Sequence, residues 1–127
     1  MTDPAEDLKQ RLARTRQITI SVTGRKSGAT ITLPVWFVLE EDKLYMLPVN
    51  GSDTQWFKNL KKNRVLGIST GSLEASFKPV LVRDPEAVKA VVEKFRVKYG
   101  AADVKKYYRK FDVAVRVGLS QPASAAA

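Results

Sequence analysis

The stretch Ile18-Thr19-Ile20-Ser21-Val22-Thr23-Gly24-Arg25-Lys26-Ser27-Gly28-Ala29-Thr30-Ile31-Thr32-Leu33-Pro34-Val35-Trp36-Phe37-Val38 reads as two strands about one bend. Ile18 to Val22 alternates with period 2, the pattern of a strand with one buried face. Gly24-Arg25-Lys26-Ser27-Gly28 is a turn whose two glycines can take positive φ. Thr30 to Val38 then puts Ile31, Leu33, Val35 and Phe37 on one face and Thr32, Pro34 and Trp36 on the other. Apolar groups on both faces predict that the second face is also covered, by chain or by ligand. Pro34 lacks the donor a sheet ladder needs, which places it at an edge or a bulge.

Working outward, Asp3 to Thr15 is predicted as a short helix, with Asp3 as N-cap, Pro4 in the first turn and Leu8 and Leu12 as its narrow apolar stripe. After the long strand, Glu40-Glu41-Asp42-Lys43 connects to a strand from Leu44 to Val49. Asn50-Gly51-Ser52-Asp53 breaks the pattern, with Ser52 or Asp53 as cap of a helix from Thr54 to about Asn63. Strands over Val65–Thr70 and Leu73–Arg83 meet at Gly71-Ser72, and Pro79 predicts a bulge. Asp84-Pro85-Glu86 opens a helix reaching Tyr99, with Val88, Val91, Val92 and Phe95 inward and Gly100 ending it. A basic helix over Asp103–Lys110 and a strand over Val113–Val117 follow, and Ser120 to Ala127 reads as a frayed tail.

This order lacks the regular alternation of strand and crossover helix that a doubly wound parallel sheet requires. The expected fold is mainly β, α+β in class: a six-stranded, mostly antiparallel split β-barrel with peripheral helices, in one domain over residues 1–127. Residues 1–16 form its N-terminal helical segment and 120–127 its tail. The 127 residues suit a single domain.

Composition narrows the chemistry. The chain has neither Cys nor His. Thiolate nucleophiles, disulfides, Cys-held clusters, Ser-His-Asp triads and His-ligated metals are therefore excluded. An enzyme of this composition must take its chemistry from elsewhere, and a bound organic cofactor is the natural source. Lys and Arg number 22 against 13 Asp and Glu, a net charge of +9. That balance suits nucleic acid, an anionic surface or a phosphorylated small molecule, and equally an ordinary basic protein. No apolar stretch is long enough to span a membrane, and the acidic opening Met1-Thr2-Asp3-Pro4 does not read as a secretory leader, so a cytoplasmic location is expected.

Several residues carry candidate chemistry. Arg25, Lys26 and Ser27 between two glycines have the makings of an anion clamp, although a solvated hairpin turn explains them as well. The spacing fits neither a P-loop nor a dinucleotide-binding turn. Pro34 and Trp36 could line a flat pocket, or Trp36 could cover the barrel from outside under a helix. Asn50, Gly51 and Ser52 could meet a ligand through backbone, or serve as a plain connection. Trp56 and Asn59 share one helix face. Trp56 reads as core, whereas Asn59 needs a polar partner. Tyr107 and Tyr108, among Lys105, Lys106, Arg109 and Lys110, could stack on bases, or form a helix with one Tyr buried and its cations in water.

Together, Val22-Thr23-Gly24-Arg25-Lys26-Ser27-Gly28, Leu33-Pro34-Val35-Trp36, Asn50-Gly51 and Trp56-Phe57-Lys58-Asn59-Leu60 resemble, in that order, the deazaflavin-dependent nitroreductase family. That family belongs to the flavin and deazaflavin oxidoreductases built on a split β-barrel. The resemblance covers about Ile18 to Val82. It implies coenzyme F420, or FMN as the alternative, lying against the barrel and exchanging hydride with a small conjugated or aromatic acceptor. On that reading Arg25, Lys26 and Ser27 hold the phosphate and Pro34 and Trp36 flank the ring. Val49, Asn50 and Gly51 meet its edge, Trp56 and Asn59 close the pocket, and Tyr107 and Tyr108 are substrate-side candidates. It also implies a homodimer. The chain departs from the family where Gly51-Ser52-Asp53-Thr54-Gln55-Trp56 replaces a longer segment carrying a His. Competing expectations are a non-catalytic cofactor carrier and a basic barrel that binds nucleic acid, the latter without any recognised nucleic-acid motif in support.

Overall fold

The alternating register of the opening stretch is realised as a hairpin. In a computed structural model that describes residues 10–70 and 73–119, β1 (Gln17–Thr23) pairs antiparallel with β2 (Thr30–Trp36) from Thr23↔Thr30 to Gln17↔Trp36. The chain continues through β3 (Val38–Glu40), β4 (Lys43–Met46), a single 3-10 turn (Gly51–Asp53), α1 (Gln55–Lys62), β5 (Leu66–Thr70), β6 (Leu73–Phe77) and β7 (Val80–Val82). It ends with α2 (Pro85–Tyr99), α3 (Ala101–Tyr107) and β8 (Ala114–Gly118). Residues 10–12 are helical. The rest of the expected N-terminal helix, the Gly71-Ser72 turn and the tail from Ser120 lie outside the described residues.

The strands form two four-stranded antiparallel sheets, in the orders β2-β1-β5-β6 and β3-β4-β8-β7. Eight strands replace the expected six because two long ones break. Thr30–Val38 divides at Phe37, so that β2 lies in the first sheet and β3 in the second. Leu73–Arg83 divides at Lys78-Pro79, where the missing proline donor ends β6 and the chain re-forms as β7 in the other sheet. Strands that change sheet at a bend turn the corners of such folds. Neither sheet closes on itself, and the arrangement is split-barrel-like without being a closed barrel. Pro34 lies on β2, an edge strand, as its chemistry requires.

One core fills the space between the sheets: Ile18, Ile20 and Val22 of β1, Leu66 and Ile68 of β5, Leu44 and Met46 of β4, and Val115 and Val117 of β8, sealed by Phe57 and Leu60 of α1. A second core packs α2, through Val88, Val91, Val92, Phe95 and Tyr99, against Val38, Leu47, Val104, Tyr108 and Ala114. Asp84 caps α2 by accepting from the Ala87 N–H at 3.0 Å, and Gly100, at φ 96°, ends it. The predicted cap of α1 is corrected. Thr54 occupies that position, while Ser52 and Asp53 belong to the preceding 3-10 turn. Ser52 is drawn off by Asp112, to which its Oγ donates at 2.5 Å. The basic helix ends at Tyr107 rather than Lys110, because Lys110 forms a parallel bridge with Asn50 and the Arg109 N–H donates to the Val49 carbonyl.

Candidate functional site

Where the end of β2 meets α1 and the end of α3, a cavity of about 370 Å³ opens, lined by Gln17, Leu33, Pro34, Val35, Trp36, Leu47, Val49, Trp56, Tyr107 and Tyr108. Ligand pockets span about 300–1,000 Å³, so this one accommodates a ring system and not a large cofactor entire. Its walls carry four aromatic residues and no charged side chain. Trp36 is fixed from behind. Its ring stacks on Tyr99 with centroids 4.2 Å apart and planes within 8°, and Tyr107 meets it edge-on at 5.4 Å. Offset and edge-to-face ring pairs of this kind stabilise beyond the area they bury. Trp36 therefore both packs against the helical layer and presents a surface to the cavity.

Tyr99 is itself held. Its hydroxyl accepts from the Phe37 N–H at 3.1 Å and lies 2.7 Å from the Arg16 carbonyl and 2.8 Å from that of Phe37. Burial pushes the Tyr99 phenol above its usual value, against the opposing Phe37 hydrogen bond and the Arg16 charge. Burial, with Tyr99 adding to it, pushes Tyr108 far higher. Lys98 donates to the Phe37 carbonyl at 2.8 Å, and burial followed by the Arg16 charge lowers its ammonium below the ordinary lysine value.

The cationic bend lies at the other end of the hairpin, roughly 13 Å along β2 from Pro34 at ~3.3 Å per residue. It is tied to the cavity through α1. The buried Asn59 accepts at Oδ1 from the Arg25 N–H at 3.1 Å and from Arg25 Nη1 at 2.8 Å, while Nη2 donates to Gln55 Oε1 at 2.8 Å. Asn59 is one helical turn from Trp56, which lines the cavity. The polar partner that Asn59 needed is thus Arg25, and Asn59 positions the bend rather than lining the pocket. Within the bend, Ser27 Oγ accepts from the Ala29 N–H, and Gly28 takes φ 73°. Lys26 is exposed, and its N–H and that of Ser27 have no partner among the described residues.

The structure thus brings Pro34, Trp36, Val49, Trp56, Tyr107 and Tyr108 to one cavity, and Arg25, Lys26, Ser27 and Asn59 do not line it. Asn50 and Gly51 stand apart. The Asn50 N–H donates to Thr54 Oγ1, and Gly51, buried at φ 55°, is pressed against Asp112, where a Cβ would lie 2.0 Å from Oδ1. Its close approach is to the chain's own carboxylate. Asp112 accepts from the Ser52 N–H at 2.9 Å, and Lys110 pairs with Asp53 at 3.1 Å, so this clasp fixes the loop after β4 against the segment carrying Tyr107 and Tyr108. Sequence reading missed Gln17 and Tyr99. The closing pair Thr23↔Thr30 sets the register that places Gln17 opposite Trp36, a signal already present in the hairpin. Among the described residues no group of three metal-ligating side chains converges.

A family model described as "Uncharacterized protein conserved in bacteria (DUF2255)" matches residues 8–117. The chain belongs to the DUF2255 family. No curated protein matches this DUF2255 chain in sequence. Among solved structures, the F420-H2 dependent reductase FDR-A is similar over 80% of the DUF2255 chain and 93% of its own, with a TM-score of 0.62 at 20% identity. HutZ, a heme storage protein from Vibrio cholerae, is similar over 95% and 91%, with a TM-score of 0.67 at 14% identity. A protein solved as a domain-swapped dimer is similar over 91% and 99%, with a TM-score of 0.64 at 17% identity. At such identities the likeness is one of fold.

Proposed function

We propose that this chain is a split-barrel oxidoreductase of the deazaflavin-dependent nitroreductase type. It holds the ring of reduced coenzyme F420 in the Pro34–Trp36 cavity and passes hydride to a small conjugated or aromatic acceptor. The observation that carries this reading is the uncharged, aromatic-walled cavity tied through Asn59 to a cationic bend. A phosphorylated ring cofactor has those two halves. A cavity of about 370 Å³ takes the ring, and the side chain leaves along β2 toward Arg25 and Lys26.

When bound, the cofactor supplies the hydride. Pro34, Trp36 and Trp56 exclude water and hold the ring flat, and Tyr107 and Tyr108 position the acceptor against it. The free N–H groups of Lys26 and Ser27, with the charges of Lys26 and Arg25, take the phosphate. Neither His nor Cys is needed. FMN would use the same ring site and the same bend.

The likeness to a reductase named for F420 supports the cofactor class, and the likeness to HutZ raises heme. Heme iron takes His, Cys, Met or a Tyr phenolate. The chain has no His or Cys, Met46 is sealed in the core away from the cavity lining, and burial raises the Tyr108 phenol and so disfavours its phenolate, leaving Tyr107 as the other cavity phenol. The ring-cofactor reading is therefore preferred. A homodimer accords with the dimeric relative. No helix among the described residues is long and apolar enough to cross a membrane, and a cytoplasmic setting fits an F420-dependent reductase.

The test is binding of F420 and of FMN followed by fluorescence. Micromolar affinity for F420 that falls about tenfold in Lys26→Ala, with stability unchanged, supports the proposal. Absence of binding for both cofactors overturns it.

A further inference from the structure

Trp56 stands out among the cavity residues. It is 5% exposed and belongs to the core between the sheets, yet its indole N–H has no acceptor among the described residues. Buried side-chain donors that lack a partner are absent among the described residues once sealed atoms are considered, so this N–H is not sealed. Trp56 lines the cavity, the open space its side chain meets. A buried indole donor ordinarily finds a partner, because leaving it unmade costs about 1–3 kcal/mol of desolvation.

The remaining walls do not provide one. Leu33, Pro34, Val35, Leu47 and Val49 present no side-chain acceptor, and among the described residues no hydrogen bond joins Trp56 to the Gln17 amide or to the hydroxyls of Tyr107 and Tyr108. Gln17 makes no side-chain hydrogen bond among the described residues. The cavity is thus largely apolar and free of carboxylate, and it holds the Trp56 N–H together with the Tyr107 and Tyr108 hydroxyls and the Gln17 amide, none of them hydrogen-bonded through the side chain among the described residues.

We infer that the Trp56 indole N–H is a specificity donor that reads a carbonyl-type oxygen on the edge of a planar ligand, so that the cavity selects conjugated carbonyl compounds over hydrocarbons of the same shape. The inference rests on reading this cavity as a ring site. It assigns Trp56 a role beyond closing the pocket. Rejection of the hydrocarbon follows from the same donor: filling the cavity with a ligand lacking an acceptor strands the N–H in a dry place.

Two probes of nearly the same shape separate the possibilities, 2-acetylnaphthalene and 2-isopropenylnaphthalene, in which a methylene group replaces the carbonyl oxygen. Calorimetry on the full chain is expected to show the ketone binding about tenfold tighter, with the preference lost in Trp56→Phe. Because that replacement shrinks a core side chain, a second measurement uses the unaltered protein. The chain has two Trp, so ¹⁵N labelling gives two indole N–H resonances, and the one lost in Trp56→Phe is that of Trp56. Saturation with the ketone is expected to move the Trp56 resonance downfield, and saturation with the hydrocarbon to leave it near its free position. Equal affinity for the two probes, or a shift common to both, overturns the inference. Discrimination by Trp56 in a protein that takes up neither F420 nor FMN would overturn the proposed function alone.

Discussion

Asn59 Oδ1 accepts two hydrogen bonds from a single residue, the backbone N–H of Arg25 at 3.1 Å and its Nη1 at 2.8 Å. A helix side chain thereby docks the tip of a hairpin 34 residues earlier, and it docks it from a buried position. Replacing the amide removes the acceptor for a backbone donor and a guanidinium at once. Asn59→Leu is expected to lower stability by about 1–3 kcal/mol in urea denaturation. It should also weaken F420 binding by loosening the bend. Stability within about 0.5 kcal/mol of the parent would show that Arg25 re-solvates without loss.

Gly51 and Asp112 form a second close pair. Gly51→Ala places a side chain at φ 55° and against a carboxylate oxygen, so it is expected to destabilise by about 1–3 kcal/mol. Asp112→Ala removes the obstacle along with the Ser52 hydrogen bonds. The double variant should therefore lose less than the two single losses added together, a coupling that a double-mutant cycle of unfolding free energies measures directly.

The pH response follows from the buried phenols. The pKa values of Tyr99 and Tyr108 are raised in the folded chain by burial, so the stability they contribute is complete below the unfolded value of 10.0 and is lost as pH rises past it. Urea midpoints measured between pH 8 and 11 are expected to fall on the alkaline side. Tyr108→Phe should flatten that fall, whereas an unchanged alkaline limb in the variant would place its cause elsewhere.

The Trp36–Tyr99 stack separates packing from binding. Tyr99→Phe keeps the ring and leaves the Phe37 N–H without its acceptor, at a cost of about 1–3 kcal/mol in stability, with cofactor affinity changed little. Trp36→Leu is expected to do the reverse, lowering ring-ligand affinity at least about tenfold while the helical layer stays folded. Fluorescence titration paired with thermal melts on both variants checks the contrast.

The pattern of legibility is physical. β1, β2, α1 and α2 were readable because periodicity, Pro34, Asp84 and Gly100 are local signals. The break at Phe37 was not, since Ile31, Leu33, Val35 and Phe37 continue one alternation through a change of sheet; only the long-range clamp by Tyr99 and Lys98 marks it. Pro79 did announce the second break, though as a bulge. Pro34, Trp36 and Trp56 line one cavity because the hairpin register and α1 bring them together, and Tyr108 reaches it from the far end of the chain, which no local pattern announces. Gly51 misled, as a glycine made necessary by a carboxylate 61 positions away has no signature in its neighbours.

Phe37 is where the polypeptide leaves one sheet for the other, and its amide and carbonyl are both held by the last turn of α2. The corner is therefore completed by a segment synthesised some sixty residues later. Until that helix arrives, the crossover point has its polar backbone stranded in a closing apolar space. The shape of the wall that carries Trp36 therefore depends on the docking of that helix.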